Sequence, residues 1–197
     1  MVVVEIVEIS KTRFEIILEE RLSFILYKRE LSRFAIEVGR EISAEDMELI
    51  KTEILQKRAK KRALHLLEKR NRTEDNLRRK LAEGKYPEDV IDVAIDYVKS
   101  FSYLDDASYA LRFIRGHMYR KSMREIKVLL QKKGIDLKTL EEAIASCYDE
   151  VAEAKAIRYL VEKKRYDAST ATQKDRNKIY TYLMRKGFSY DCVRSVL

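Results

Sequence analysis

The side chains with the most chemistry to offer in this 197-residue chain are its cations, 41 Lys and Arg against 33 Asp and Glu. Arg70, Arg72, Arg78 and Arg79 form one group, and Arg115, Arg120, Lys121, Arg124 and Lys127 a second. Guanidinium and ammonium groups at that density suit charge contacts with a phosphate backbone or with an acidic protein surface. Covalent chemistry has less to work with. His65 and His117 are the only histidines, and neither has Cys or Asp at ligand spacing, so neither marks a metal site. Gly84-Lys85-Tyr86 lacks the spacing and the Ser/Thr of a phosphate-binding glycine loop. Asp105-Asp106 could hold a cation, but Leu104-Asp105-Asp106-Ala107 fits a helix start better. No nucleophile–base set can be assembled. The expectation is a non-enzyme without metal or cofactor.

The elements that must position these cations read as helices. Thr73, followed by Glu74 and Asp75, can accept from an orphan amide of the first turn, and the acids suit the positive end of the helix dipole. Leu77 and Leu81 then share a face. Gly84-Lys85 ends the helix, with Gly84 expected to take the left-handed conformation. Pro87, the only proline, opens the next helix, whose stripe is Val90, Ile91, Ala94, Ile95 and Val98. The pattern recurs at Ile126, Leu129, Leu130, Gly134, Leu140, Ala143 and Ile144. It recurs again at Ile179, Tyr182, Leu183, Gly187, Val193, Val196 and Leu197. Matching Lys85 to Gly134 and Gly187 gives periods of 49 and then 53 residues. Such a period predicts stacked helical repeats, because one three-helix unit buries little core alone.

Ahead of the repeats, Val2–Ile9, Phe14–Leu18 and Leu22–Tyr27 read as strands, broken at Ser10–Arg13 and Glu19–Arg21. A short helix with Leu31, Phe34, Ala35 and Val38 inward is expected to close at Gly39. Ser43 with Asp46 resembles a capping box and starts a helix carrying Met47, Ile50 and Ile54, which can run into the first repeat near Gln56. Gly116 and Ser122 are expected to bracket the break after the first helix of the second unit, and Tyr166–Asp175 to form a mobile loop. The predicted fold is mainly α: three tandem three-helix repeats stacked in an elongated array, with a small N-terminal antiparallel β segment plus helix. The segments are 1–56, 57–103, 104–150 and 151–197.

Composition narrows the class. The chain is 46% hydrophobic, which excludes a disordered chain. MVVVEIVEIS is neither a signal peptide nor a membrane span, so the cytoplasm is expected, with no membrane partner. Cys147 and Cys192 then read as small buried apolar residues. Asn and Gln number three each, a balance seen in thermophile proteins.

Charge follows the repeat. Residues 1–56 carry a net −4. Lys57–Lys85 carries +8, Tyr86–Asp106 −5, Arg112–Lys133 +7, Ile135–Glu153 −5 and Lys155–Lys186 +7. In the first two units the first two helices are thus basic and the third acidic. Equivalent helices in a stacked array line up, so a basic ridge could follow a phosphate backbone or an acidic groove. Solvated faces with ordinary acid–base pairs are the plainer alternative. Among the tyrosines, Tyr109 and Tyr182 have core spacing, and Tyr119 beside Arg120-Lys121 is the better surface candidate.

ALHLLEKRNRTEDNLRRKL (Ala63–Leu81) and the Pro87–Tyr97 helix resemble the first repeat of the RecX regulatory proteins. Ser102-Tyr103-Leu104-Asp105-Asp106 through Tyr109-Ala110, then Lys121-Ser122 and LLQKKGI (Leu129–Ile135), resemble the second. The strands with the Gly39–Ser43 turn are more loosely similar to the family's N-terminal segment, and the third repeat matches more weakly. The resemblance implies a bacterial modulator of the RecA recombinase. Such proteins lie along the groove of the RecA–single-stranded DNA filament and mainly inhibit its growth, ATP hydrolysis and strand exchange, in recombinational DNA repair and the SOS response. They can also bind DNA themselves. The implied partners are a RecA-type filament, single-stranded DNA and, as a further ligand, duplex DNA. The nine cations named above are then expected to contact phosphate or recombinase. A monomer is expected, with unpaired strand edges the feature that could allow a dimer. The alternatives are a general helical DNA-binding protein without recombinase specificity, a protein-only adaptor with no DNA affinity, and a nucleic-acid enzyme, for which the sequence offers no catalytic cluster.

Overall fold

A computed structural model describes residues 1–19, 22–147 and 150–197. The Glu20 and Arg21 part of the expected Glu19–Arg21 break lies outside the described residues, as do Tyr148 and Asp149 before the expected boundary at 150. The chain divides into two compact units, Met1–Asp105 and Asp106–Leu197.

In the first unit, strands β1 (Val3–Ser10), β2 (Arg13–Leu18) and β3 (Ser23–Tyr27) form an antiparallel meander in the order β1-β2-β3. Ile16 pairs with Ile6 on one side and Phe24 on the other. With Val3, Leu18 and Leu26 it closes one face over the helices. The start of β1 is not a free edge. Gly39 N–H donates to the Val3 carbonyl at 2.8 Å, and Val3 N–H donates to the Arg40 carbonyl at 3.0 Å.

Helix α1 is shorter than its apolar spacing suggested. It spans Lys28–Arg33 and closes at Ala35, φ 46°, where Ile36 N–H reaches back to the Leu31 carbonyl at 2.9 Å. That turn sends Ile36 into the core and leaves Val38 exposed, so Gly39 does not end the helix. Helix α2 (Ala44–Leu49) is capped by Ser43 Oγ, which accepts from Asp46 N–H at 3.0 Å. It runs through a π-helical stretch, Ile50–Gln56, into α3 (Lys57–Lys69). Ile50, Ile54, Leu55, Ala59, Ala63 and Leu66 stay buried along one face through this stretch and into α3.

Helices α4 (Glu74–Ala82) and α5 (Glu88–Ser100) complete the first three-helix repeat. Thr73 caps α4, its Oγ1 accepting from Asn76 N–H at 3.3 Å. The cap matters because Thr73 is buried and the first-turn amides have no water to turn to. Leu77, Leu81, Val90, Ile91, Ala94, Ile95 and Val98 are all buried, as their spacing predicted. The closing turn differs from expectation. Lys85, not Gly84, is left-handed, with φ 59°, as are Gly134 (φ 81°) and Gly187 (φ 93°) at the matched positions. Gly84 serves packing instead, since a Cβ there would sit 3.0 Å from the Tyr86 ring. Pro87 lies one residue earlier than expected, as the cap of α5.

The second unit holds α6 (Asp106–His117), α7 (Met123–Gln131) and α8 (Leu137–Cys147), then α9 (Glu150–Lys163), α10 (Gln173–Arg185) and α11 (Tyr190–Val196). Gly116 lies inside α6, so the break is Met118–Ser122 rather than one that begins at Gly116. Two cores form, one around Ile114, Ile126, Leu130 and Leu140 and one around Ile157, Ile179, Leu183 and Val193. Tyr109 and Tyr182 pack against them as expected. Cys147 and Cys192 are thiols, only partly buried, and Cys192 Sγ donates to Glu153 at 3.5 Å. Gln173–Asp175, expected in the loop, are the first turn of α10. Thr172 caps that helix, and its hydroxyl donates to Asp175 at 2.6 Å.

Candidate functional site

The two predicted cation groups meet different surroundings. In the first repeat Arg72 is structural. Its Nε donates to the Leu66 carbonyl at 3.1 Å and its Nη1 to Asn76 Oδ1 at 2.6 Å, tying the end of α3 to the start of α4. Burial, with Arg70 and Arg62 nearby, lowers its pKa. Arg78 is more committed still. It bonds Glu74 at 2.9 Å on its own helix, and Glu88 at 3.1 Å and Asp92 at 2.7 Å on α5. Burial opposes its charge, yet the bonds to Asp92 and Glu74 raise its pKa. Glu74 also takes Lys99 at 2.5 Å. Burial alone would raise the Glu74 pKa, but the bonds from Lys99 and Arg78 hold it below the usual carboxylate range. Arg79 pairs with Asp75 at 3.1 Å on the surface. Arg70 follows the last turn of α3, is exposed, and has no ion pair among the described residues.

In the second repeat Lys121 pairs with Glu125. The Arg120 guanidinium lies 5.6 Å from the centre of the Tyr159 ring. Tyr119 is 45% exposed, the surface position expected of it, with the Lys155 ammonium 4.8 Å from its ring centre. Arg115, Arg124 and Lys127 have no ion pair among the described residues, and Arg115 and Arg124 are exposed. Arg115 closes α6, while Arg124 and Lys127 lie on α7.

One contact anchors that segment within the unit. Ser122, fully buried, accepts from Glu125 N–H at 3.1 Å and donates to the Lys186 carbonyl at 2.6 Å. A Cβ on Gly187 would lie 2.9 Å from Arg124 Cβ, so glycine is required for this approach as well as for its positive φ. The end of α10 therefore sits on the cap of α7 and fixes where Arg124 stands.

The third repeat holds cations that were not singled out by number: Lys164, Arg165, Lys178 and Arg185, which line one cavity with Tyr166 and Tyr182. The signal for them was the +7 on Lys155–Lys186. Among the described residues no three His, Cys, Asp or Glu gather as a metal site, and no helix is long and apolar enough to cross a membrane.

The fold and its cations define a class, the tandem three-helix-repeat proteins with an N-terminal sheet and basic helix faces. Family models narrow it. Residues 59–97 match RecX, first three-helix domain, and residues 152–197 match RecX, third three-helix domain. The regulatory protein RecX of Clostridium perfringens (strain 13 / Type A) is 30% identical, across 98% of this chain and 92% of its own. That of Caldanaerobacter subterraneus subsp. tengcongensis is 27% identical, across 100% and 98%. A crystal structure of regulatory protein RecX superposes with a TM-score of 0.67 at 24% identity, over 98% of this chain and 97% of that one. RecX from Lactobacillus salivarius gives 0.64 at 28%, over 72% and 94%. The chain belongs to the RecX family of regulatory proteins.

Proposed function

We propose that this chain regulates a RecA-type recombinase by binding the recombinase–single-stranded DNA filament along its groove, and that it mainly limits filament growth, ATP hydrolysis and strand exchange. The working division is the segment 1–56 and the repeats 57–103, 104–150 and 151–197. The observation that carries this reading is the set Arg115, Arg124 and Lys127, cations that no carboxylate neutralises within the described residues. Family membership supplies the regulatory role, and unneutralised cations suit a negatively charged filament. Arg120 and Lys121 lie between Arg115 and Arg124 in the chain, and Arg70 and Arg79 offer a second contact from the first repeat. Contacts spread over several recombinase subunits give avidity without any one strong site.

The test is recombinase ATP hydrolysis on single-stranded DNA, with this protein titrated far below one per recombinase subunit. Strong inhibition at that ratio is expected, since simple competition for DNA needs near-stoichiometric amounts. Unchanged hydrolysis beside steeply salt-dependent binding to naked DNA would replace this reading with that of a general DNA-binding protein.

A further inference from the structure

The connection between first and second helices grows along the chain: residues 70–73 in the first repeat, 118–122 in the second and 164–172 in the third. The second helix of the third repeat is also longer, 13 residues against 9 in each of the others. Its cap, Thr172, lies seven residues before Ile179, whereas Ser122 lies four before Ile126. The extra turn and the longer connection enclose an open cavity of about 470 Å³. That is a small-molecule size, within roughly 300–1,000 Å³.

Its chemistry is specific. Lys164, Arg165, Lys178 and Arg185 line it, and all four are exposed. Tyr166 and Tyr182 form a half-buried wall, both packed against the core of the repeat. Lys164 covers Tyr182, its ammonium 4.8 Å from the ring centre, which leaves Tyr166 as the flat face for a ligand. Two acids also line the cavity, and both are tied to their own turns. Asp167 accepts from Ser169 N–H at 2.9 Å and from its hydroxyl at 2.7 Å. Asp175 holds the Thr172 cap and reaches Lys178 at 3.5 Å. Four cations against two acids leave a net positive cleft.

We propose that this cleft binds one nucleoside phosphate unit, free or as a single residue of a DNA strand. Arg165, Lys178 and Arg185 hold the phosphate, and the base lies against Tyr166. An acidic peptide would use the cations alone; the aromatic wall adds a stacking face that a base fits and a carboxylate does not. The inference rests on the proposed function only in giving DNA an anchoring point, and it is tested on the protein alone.

The probe is a short oligothymidylate carrying 5-iododeoxyuridine, photo-crosslinked to the full chain and mapped by mass spectrometry. The adduct is expected on Tyr166. Lys178→Glu combined with Arg185→Glu should cut the yield about tenfold, as loss of phosphate anchoring would, with helix content by circular dichroism unchanged. Competition by free ATP would make a free nucleotide the ligand, and competition by oligothymidylate alone would make it a strand residue; either supports the cleft. Adducts confined to the first two repeats, a yield indifferent to the double variant, or displacement by inorganic phosphate as effective as by nucleotide would overturn it. A mapped adduct without recombinase inhibition would remove the recombinase reading and leave the cleft standing.

Discussion

Arg78, Lys127 and Tyr180 occupy one position in three repeats, the middle of the second helix, and each has a different neighbour across the third helix. Arg78 meets Glu88 and Asp92, with Glu74 behind it. At the positions of Glu74 and Glu88 the second repeat has Met123 and Leu137, and Leu137 is 60% exposed. The position of Asp92 keeps an acid, Glu141, yet no ion pair joins it to Lys127 among the described residues. In the third repeat the position is an aromatic pair, Tyr180 and Tyr190, with ring centres 5.8 Å apart. A strut between helices can be ionic, aromatic or missing while the core beneath keeps its spacing. Where it is missing, as at Lys127, the cation has no ion pair among the described residues.

The sharpest break in this comparison lies where the second repeat is held by the third, through Ser122 and Gly187. Gly187→Ala would force a side chain into φ 93° and against Arg124, and Ser122→Ala would strand the Lys186 carbonyl and uncap α7. Each should lower stability in urea unfolding by about 2–3 kcal/mol. Next comes the matched pair of Arg78→Met and Lys127→Met. The first should cost about 1–2 kcal/mol, since its partners are partly exposed and screened. The second should change stability by less than about 0.5 kcal/mol and weaken filament binding instead. Equal stability losses would erase the distinction between the two repeats.

Acid titration sharpens the same contrast. The folded pKa of Glu74 lies below its unfolded value, so its contribution is complete above about pH 4.3 and is lost as pH falls toward the folded value. The stability gap between the parent and Glu74→Gln should therefore close on going from neutral pH to strongly acid buffer. A gap independent of pH would mean that the network contributes through packing alone. The smallest effect is a transplant. Met123→Glu with Leu137→Glu should give Lys127 counterparts of Glu74 and Glu88, beside Glu141 at the position of Asp92, adding about 0.5 kcal/mol of stability while reducing filament binding.

Much of the scaffold was legible in the sequence because caps and stripes are local signals. Thr73 and Ser43 name their own helix starts, and the apolar spacing aligned Lys85 with Gly134 and Gly187, the three positions that take the left-handed conformation. Gly84 misled because glycine is the usual left-handed residue, whereas here its missing Cβ serves Tyr86. The fate of each cation was not legible. Arg78 reaches acids 10 and 14 residues on, across a turn, and net charge per segment cannot say which charges cancel. The cleft of the third repeat depends on a loop and a helix extension that the periods of 49 and 53 registered only as extra length.

The most direct measurement is filament binding by two charge-reversed variants. One carries Arg115→Glu, Arg124→Glu and Lys127→Glu, and the other Lys174→Glu with Arg176→Glu on the exposed start of α10. The account predicts that the first loses binding by at least about tenfold while its unfolding curve is unchanged, because these side chains hold no ion pair among the described residues. Full binding by that folded variant, or equal losses from both, would contradict it.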